Sequence, residues 1–573
     1  MNFFTDNQDI AFIFENTDLE AIVAGYEDGF REHERFDYAP ADCADARDSY
    51  RRVLTLAGDM AARIVAPLSK SLDDEHTTIS NGSTVYSPAL ARCVQALSQA
   101  ELMGCCISRQ YGGLNLPTFI FTMLVEIISR ADGGLQNVFG LQGIAGIIET
   151  FADPELKEKY LPLFARGRVT GAMALTEEEA GSDLQNVRMQ AAEQPDGTWR
   201  LNGVKRFITN GGAEVLLVLA RSEQGTTDGL GLSLFLCEAG PSITVRRLED
   251  KLGIHSSPTC ELVFHDAPAR LIGERQRGLV TYVLSLLNGA RLATAAQAVG
   301  IAHAAFSEAR AYARLRKQYG RRIELLPAVA AMLVDMQMQI EASRALTCET
   351  ARVMDMALAT DRLLAAGGLT ADEKKQLKKD SKRYDRSLML LTSLAKYSCS
   401  EMSIRVTSTA MQVLGGSGYM RDYPVEKYYR DARITTIYEG TSQLQIMSAL
   451  RGILSGTMEK YFEEVAAVQF AKPQAALAKS LQHGRELMQQ SLELLNAAAD
   501  SQLTDLCSRE LVDMACDITM GYLLLRQSGA SARKLKMARL FITDREHCIK
   551  MRALRIKSAD TQLLKDYTEL MGD

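Results

Sequence analysis

The feature that most constrains how this chain can fold is a change of periodicity near Gly171. Between residues 171 and 275 the sequence breaks into short β-prone runs: TWRLNGVKRFITNGG, EVLLVLARS, LGLSLFLCEAG, SITVRRLED and CELVFHDAPARLIG. Turn residues separate them, and Pro195-Asp196-Gly197 and Asn202-Gly203 read as turns. On either side the apolar residues recur at helical spacing, as in 19–30 and 89–103, with a turn at Tyr111-Gly112-Gly113 and Pro117. From Leu279 onward the chain is rich in Ala, the strongest helix former. The polar run DEKKQLKKDSKRYDR at 372–386 reads as a solvated helix or loop. Helices, then strands, then helices predict an α+β protein with segregated layers rather than a doubly wound sheet. The expected divisions are 1–55 (helical extension), 56–170 (helical domain), 171–275 (β domain), 276–455 (helical bundle) and 456–573 (C-terminal helical domain).

At 573 residues the chain exceeds what one hydrophobic core spans. A net charge of -6 gives no reason to expect a nucleic acid partner. The 11 cysteines form no C-x-x-C pair and the 7 histidines no H-E-x-x-H, so no metal mechanism is expected, and reduced thiols in a cytoplasm are. The N-terminus carries acids within its apolar part and lacks the basic start of a signal peptide. The apolar run 283–305 is interrupted by Asn288, Arg291 and Gln297, so no membrane span is expected.

One peptide stands out chemically, YYRDARITTIYEGTSQLQ at 428–445. It sets a single carboxylate, Glu439, directly before Gly440 and Thr441, where the backbone can approach a ligand closely. A carboxyl in apolar surroundings is a candidate general base, because burial raises its pKa toward working pH. Taken alone, the peptide favours a surface or helix-capping acid over a base at Glu439.

Five segments together resemble the acyl-CoA dehydrogenase family: MALTEEEAGSD (173–183), LNGVKRFITNGG (201–212), LNGARLATAAQAVGIA (287–302), RKQYG (316–320) and the stretch 412–445, which includes QVLGGSGYMRDYPVEKYYRDARITTIYEGTSQLQ. The resemblance covers roughly residues 60–455. It implies a helical N-terminal domain, a β-barrel-like middle domain, a helical bundle, and FAD lying between them and across a subunit contact. The residues outside it look like those of longer bacterial members with an added C-terminal helical domain. That addition could cover the site's mouth, bind the CoA nucleotide, enlarge a dimer contact or only add packing.

The implied reaction is α,β-dehydrogenation of an acyl-CoA thioester, which needs a base for the acidic α hydrogen and a hydride acceptor for the β hydrogen. The resemblance makes Glu439 the base. Another arrangement in the family places the base immediately before an Arg on the bundle helix, but Ala290 stands there, before Arg291. The resemblance assigns cofactor contacts to Met173, Leu175, Thr176, Gly181, Ser182, Phe207, Ile208 and Thr209. Arg316, Gln318, Tyr319, Gln412, Val413, Gly415 and Gly416 serve the adenine and phosphate side from a neighbouring subunit, and Thr441 and Gln443 are further FAD contacts. Ser182, Asn288, Arg291 and Gly440 fall to the substrate, Arg291 having a structural ion pair as its alternative. Two departures from the family pattern are Glu178, where Pro is frequent, and Phe207, where Trp is. Implied partners are an acyl-CoA, an electron-transferring flavoprotein and further copies of the chain as a homodimer or homotetramer. An acyl-CoA oxidase that reduces oxygen, and a non-catalytic scaffold that kept the fold, are the alternatives.

Overall fold

The computed structural model describes residues 1–366 and 368–572. Helices lead, but the N-terminal region is not helical throughout. His76–Tyr86 contains a hairpin of β1 (Thr78–Ser80) and β2 (Ser83–Val85), turned at Asn81 and Gly82 with φ of 52° and 75°. Asn-Gly is the strongest short hairpin signal because both residues tolerate positive φ. The hairpin reaches the middle domain, where Val245 N donates to Gly82 O at 2.8 Å.

The middle domain comprises β3 (Gly171–Ala174), β4 (Gln190–Glu193), β5 (Trp199–Thr209), β6 (Val215–Arg221), β7 (Leu232–Glu238), β8 (Ile243–Leu248) and β9 (Thr259–Leu271). The order is β3-β6-β4-β5-β9-β7, with β8 on β9, and β7 returns to pair antiparallel with β6, closing the sheet on itself. Closure fits the pattern of VLLVLAR, whose residues are all buried in β6, since a closed sheet has no open edge. Pro195-Asp196-Gly197 does form the tight turn, with Gly197 N bonded to Gln194 O. Asn202-Gly203 does not turn: both lie within β5, opposite a one-residue irregularity in β9. Gly203 is needed there for close approach, as a Cβ would stand 3.0 Å from Met189.

Three long helices, Leu284–Leu315, Pro327–Ala366 and Ala371–Leu414, form the bundle, the last including the exposed charge run 372–386. The C-terminal helices Lys472–Ala498, Ser501–Gln527 and Ala532–Lys557 share one continuous apolar core with them, in which Leu346, Leu390, Met514, Ile518 and Phe541 are buried. The helix Cys43–Met60 runs straight through residue 55 without a break. Among the described residues, the segment Gly278–Leu315 is long enough, and apolar enough over part of its length, to cross a membrane. Its residues from Leu292 to Ala313 bury an Ala-rich face among the bundle helices, and it carries Arg291 and Gln297, as a core helix can.

A buried ion cluster joins the two ends of the chain to the bundle. Arg344 donates to Glu126 (2.6 Å) and to Asp9 on the helix Gln8–Asn16. Lys534, on Ala532–Lys557, bonds Asp9 as well as Glu341 (3.0 Å), and Arg533 reaches Glu341 too.

Candidate active site

The first half of the site is a bulge at one end of the barrel. Between Lys205 and Ile208, β5 carries one residue more than its partner β9. The bulge turns Phe207 out, with φ of 60° and the residue 53% exposed. A bulky residue at positive φ is strained and persists only where the surroundings fix it. Here Lys205, fully buried, donates to Leu175 O (2.8 Å) and Glu177 Oε1 (2.9 Å), while Arg206 N donates to Thr176 O (2.9 Å). Burial pushes the Lys205 amine down to about 8 against the pull of Glu177. The segment carrying Thr176 is thereby held beside Phe207. Gly181 lies on the same turn, with Thr176 Cγ2 3.7 Å from where its Cβ would be, and Ser182 is exposed beside it. Glu178 points outward and pairs with Arg206.

The second half comes from the bundle. After the helix Val425–Ile434 the chain turns through Glu439 and Gly440, with φ of 55° and 89°, into the helix Ser442–Leu454. The turn is tied down on several sides. Lys396 Nζ donates to Gly440 O at 2.6 Å, Gln445 Nε2 to Glu439 O at 3.1 Å, and Ser442 Oγ to Glu401 at 2.6 Å. Glu439 itself is half-buried, and its Oε2 is buried without a hydrogen-bond partner. Burial raises its carboxyl above the ordinary carboxylate range, with Lys396 and then Arg291 pulling the other way. Arg291 projects from the helix Leu284–Leu315, with Asn288 one turn earlier. No carboxylate lies within 4.0 Å of Arg291 among the described residues, so it makes no structural ion pair there, and its Nε is buried and unpartnered.

The two halves are docked by the loop between β8 and β9. Asp431 accepts from Ile254 N at 2.6 Å, and a Cβ at Gly253 would meet the backbone of Arg430 at 2.7 Å. Lys427 bridges Asp431 (2.6 Å) and Asp132 (2.9 Å). Next to Glu439, the Tyr438 hydroxyl lies against Gln297 Oε1 and 3.1 Å from Asn137 Oδ1. Gln297 Nε2 donates to Gly133 O (2.7 Å) and Asn137 Oδ1 (3.0 Å), and Asn137 Nδ2 donates to Ser257 Oγ (3.3 Å).

The fold thus gathers Thr176, Gly181, Ser182 and Phe207 on the barrel, with Met173 and Thr209 partly buried in neighbouring strands, and Glu439, Gly440, Arg291 and Asn288 on the bundle. Leu175, Ile208 and Val413 put their side chains into the cores, which leaves only their backbone for a ligand. Thr441 spends its hydroxyl oxygen as the cap of Ser442–Leu454, accepting from Leu444 N, while Gln443 is exposed. Arg316, Gln318 and Tyr319 form an exposed hairpin end, Tyr319 87% exposed. Tyr312 Oη lies 3.3 Å from Ser417 Oγ, bringing this end beside the exposed Gln412, Gly415 and Gly416, and nothing lies within 4 Å of where Cβ atoms on those two glycines would be. Sequence reasoning missed Lys396, Gln297, Asn137 and Glu401. For Lys396 the signal was a lone cation in the apolar and small-residue run LMLLTSLAKYSCS.

Family models for the N-terminal, middle and C-terminal domains of acyl-CoA dehydrogenases match residues 48–168, 172–267 and 277–454 in that order. The chain belongs to the acyl-CoA dehydrogenase family. A further model, described as acyl-CoA dehydrogenase C terminal, matches 454–562. A short-chain-specific acyl-CoA dehydrogenase of Megasphaera elsdenii is 32% identical over 409 residues, spanning 70% of this chain and 96% of the relative. An acyl-CoA dehydrogenase of Bacillus anthracis, solved with FAD, is 25% identical with a TM-score of 0.73, over 89% of this chain and 88% of its own. A chain solved under the description electron transferring flavoprotein of Acidaminococcus fermentans is 31% identical with a TM-score of 0.61, over 71% of this chain and 98% of its own. The family uses FAD, and this acyl-CoA dehydrogenase is an FAD-dependent oxidoreductase. Its residues fit that cofactor. Phe207 is exposed beside Thr176 with the Arg206 guanidinium over its ring at 4.8 Å, the Gly415–Gly416 backbone is open, and an orphaned carboxylate oxygen stands at Glu439.

Proposed function

We propose that this dehydrogenase introduces an α,β double bond into a short acyl-CoA, with Glu439 as the base that takes the α proton. The observation that carries the reading is the buried, unpartnered Glu439 Oε2 on a turn held from three sides. A carboxylate oxygen kept from water and without a donor loses no basicity to a hydrogen bond. The Glu439 N–H is available to polarise the thioester carbonyl, and Arg291 and Asn288 to steer the CoA arm, along a helix start whose Val280 and Leu284 are exposed and suited to apolar substrate atoms. Bound FAD supplies the acceptor for the β hydrogen, which leaves as hydride. Met173, Thr176, Gly181, Ser182, Phe207 and Thr209 hold the flavin end. Arg316, Gln318, Tyr319, Gln412, Gly415 and Gly416 of a second copy hold the adenosine diphosphate end, in a homodimer or homotetramer, with Gln443 and the Thr441 backbone completing the set. Electrons pass to an electron-transferring flavoprotein in the cytoplasm.

The short acyl group is supported by the Tyr438–Gln297–Asn137 network, which adjoins Glu439 through Tyr438 and links the helix Leu284–Leu315 to the helix Leu135–Gly140. An alkyl tail entering there would strip those groups of their partners, at about 1–3 kcal/mol for each buried group left unmade. The name of the Megasphaera relative points the same way. The test is a series of saturated acyl-CoAs from four to sixteen carbons, assayed with a dye, with electron-transferring flavoprotein and under air. We expect kcat/KM to peak at four to six carbons, and Gln297→Gly to shift the peak to longer chains by at least two carbons. A peak above ten carbons in the parent would refute the short-chain reading. Stoichiometric peroxide without another acceptor would assign the protein to the oxidases.

A further inference from the structure

We propose that Lys396 is a positioning residue for the Glu439 turn, holding the Gly440 carbonyl and supplying the cationic charge that faces the base. The inference rests on Glu439 being that base. Lys396 is 0% exposed, on the helix Ala371–Leu414, and a buried ammonium is costly unless something uses it. Among the described residues its hydrogen-bond partner is a peptide oxygen, Gly440 O at 2.6 Å, and no carboxylate lies within 4.0 Å of it. A lysine serving only the fold would pair with an acid, as buried Lys427 and Lys534 do here.

The place where Lys396 binds explains its retention. Glu439 has φ of 55°, a conformation that a non-glycine residue leaves unless held. Lys396 fixes the following peptide from the bundle side, while neutral Gln445 fixes it from Ser442–Leu454. The charged groups around Lys396 are Glu439 on the turn, Arg291 from Leu284–Leu315 and Glu401 on its own helix. Burial pushes the Lys396 amine down to about 7, Glu439 and Glu401 pulling it up and Arg291 down. A protonated Lys396 favours ionised Glu439, so its charge counters the burial that would otherwise keep the base protonated.

The experiment compares FAD-loaded Lys396→Met, Lys396→Gln and Gln445→Leu enzymes with the parent, following cofactor reduction by a saturating acyl-CoA in single turnovers from pH 5 to 9. In both Lys396 variants we expect the acidic limb to move up by about one pH unit, the effect of losing a nearby opposite charge. Lys396→Met should also lose about tenfold or more of its plateau rate, because the turn has lost a tether. Lys396→Gln, which keeps an N–H donor, should lose less. Gln445→Leu removes a tether without a charge, so its rate falls and its limb stays. Should Lys396→Met not retain FAD, Lys396→Gln carries the comparison, and Lys396→Arg, which keeps the charge, should keep the parent limb. Acidic limbs and plateau rates equal to the parent's in the Lys396 variants would overturn the proposal. Glu439→Gln is run beside them. If it reduces cofactor at the parent rate, the base assignment has failed; if it is inactive while the Lys396 variants match the parent, only the role of Lys396 has.

Discussion

Glu439→Gln is expected to slow cofactor reduction by about 10²- to 10⁴-fold, the contribution of a positioned general base, while leaving FAD bound. The amide has nearly the volume of the carboxyl and accepts the same place on the turn, so its effect isolates the proton transfer from folding. Retained visible absorbance and an unchanged melting temperature are part of the expected result. The pH dependence of the parent has a definite sign. Glu439 works deprotonated, so the rate rises with pH as the carboxyl ionises. Burial puts that rise above the ordinary glutamate value of about 4.3, even with Lys396 and Arg291 opposing it. An acidic limb at or below that value in single turnovers would contradict the environment described for the base.

The largest stability effect is expected from Arg344→Met. Arg344 is buried and serves Glu126 and Asp9 at once, so its loss leaves Glu126 without a cation and Asp9 with Lys534 alone. Breaking a buried pair by removing one partner costs about 3–5 kcal/mol. The guanidinium chloride midpoint should fall accordingly, with kcat at low temperature close to that of the parent. Arg31→Ala, which removes an exposed pair with Asp28, is the control and should leave the midpoint in place. The cluster also sets a pH dependence. Burial pushes the Asp9 carboxyl up, but Arg344 and Lys534 together hold it below its ordinary value. The stability it contributes is therefore present at neutral pH and lost as pH falls through the acid range.

The layered architecture was legible because alternation and helical spacing are local properties, and the runs at 215–221 and 232–238 became β6 and β7 as read. The hairpin at 78–85 was missed although Asn81-Gly82 announced it, because its flanking TIS and STV are too short and exposed to show a pattern. Asn202-Gly203 deceived in the opposite direction: the same dipeptide that makes a turn also suits a strand pressed against Met189. In the candidate site, Gly440 and Thr441 drew attention to Glu439, but only the five family-like segments taken together singled it out as a base. The strain at Phe207 was not, since it arises from a register mismatch between strands that only pairing reveals. Nor were Lys396 or the Tyr438–Gln297–Asn137 group, whose members meet across separations of 44 to 301 residues. Thr441 shows how one residue can satisfy two readings, because the hydroxyl that suggests a ligand contact also caps a helix.

The ion cluster imposes an order on how the protein comes into being. Asp9 is polymerised more than five hundred residues before Lys534. Throughout that interval the growing polypeptide carries an acid whose second cation has not been made, so its opening helix cannot settle fully against the bundle. The helix Gln8–Asn16 therefore gains its full set of partners only after Lys534 has been made, and a chain stopped ahead of residue 533 would lack both the helix Ala532–Lys557 and the second cation of Asp9.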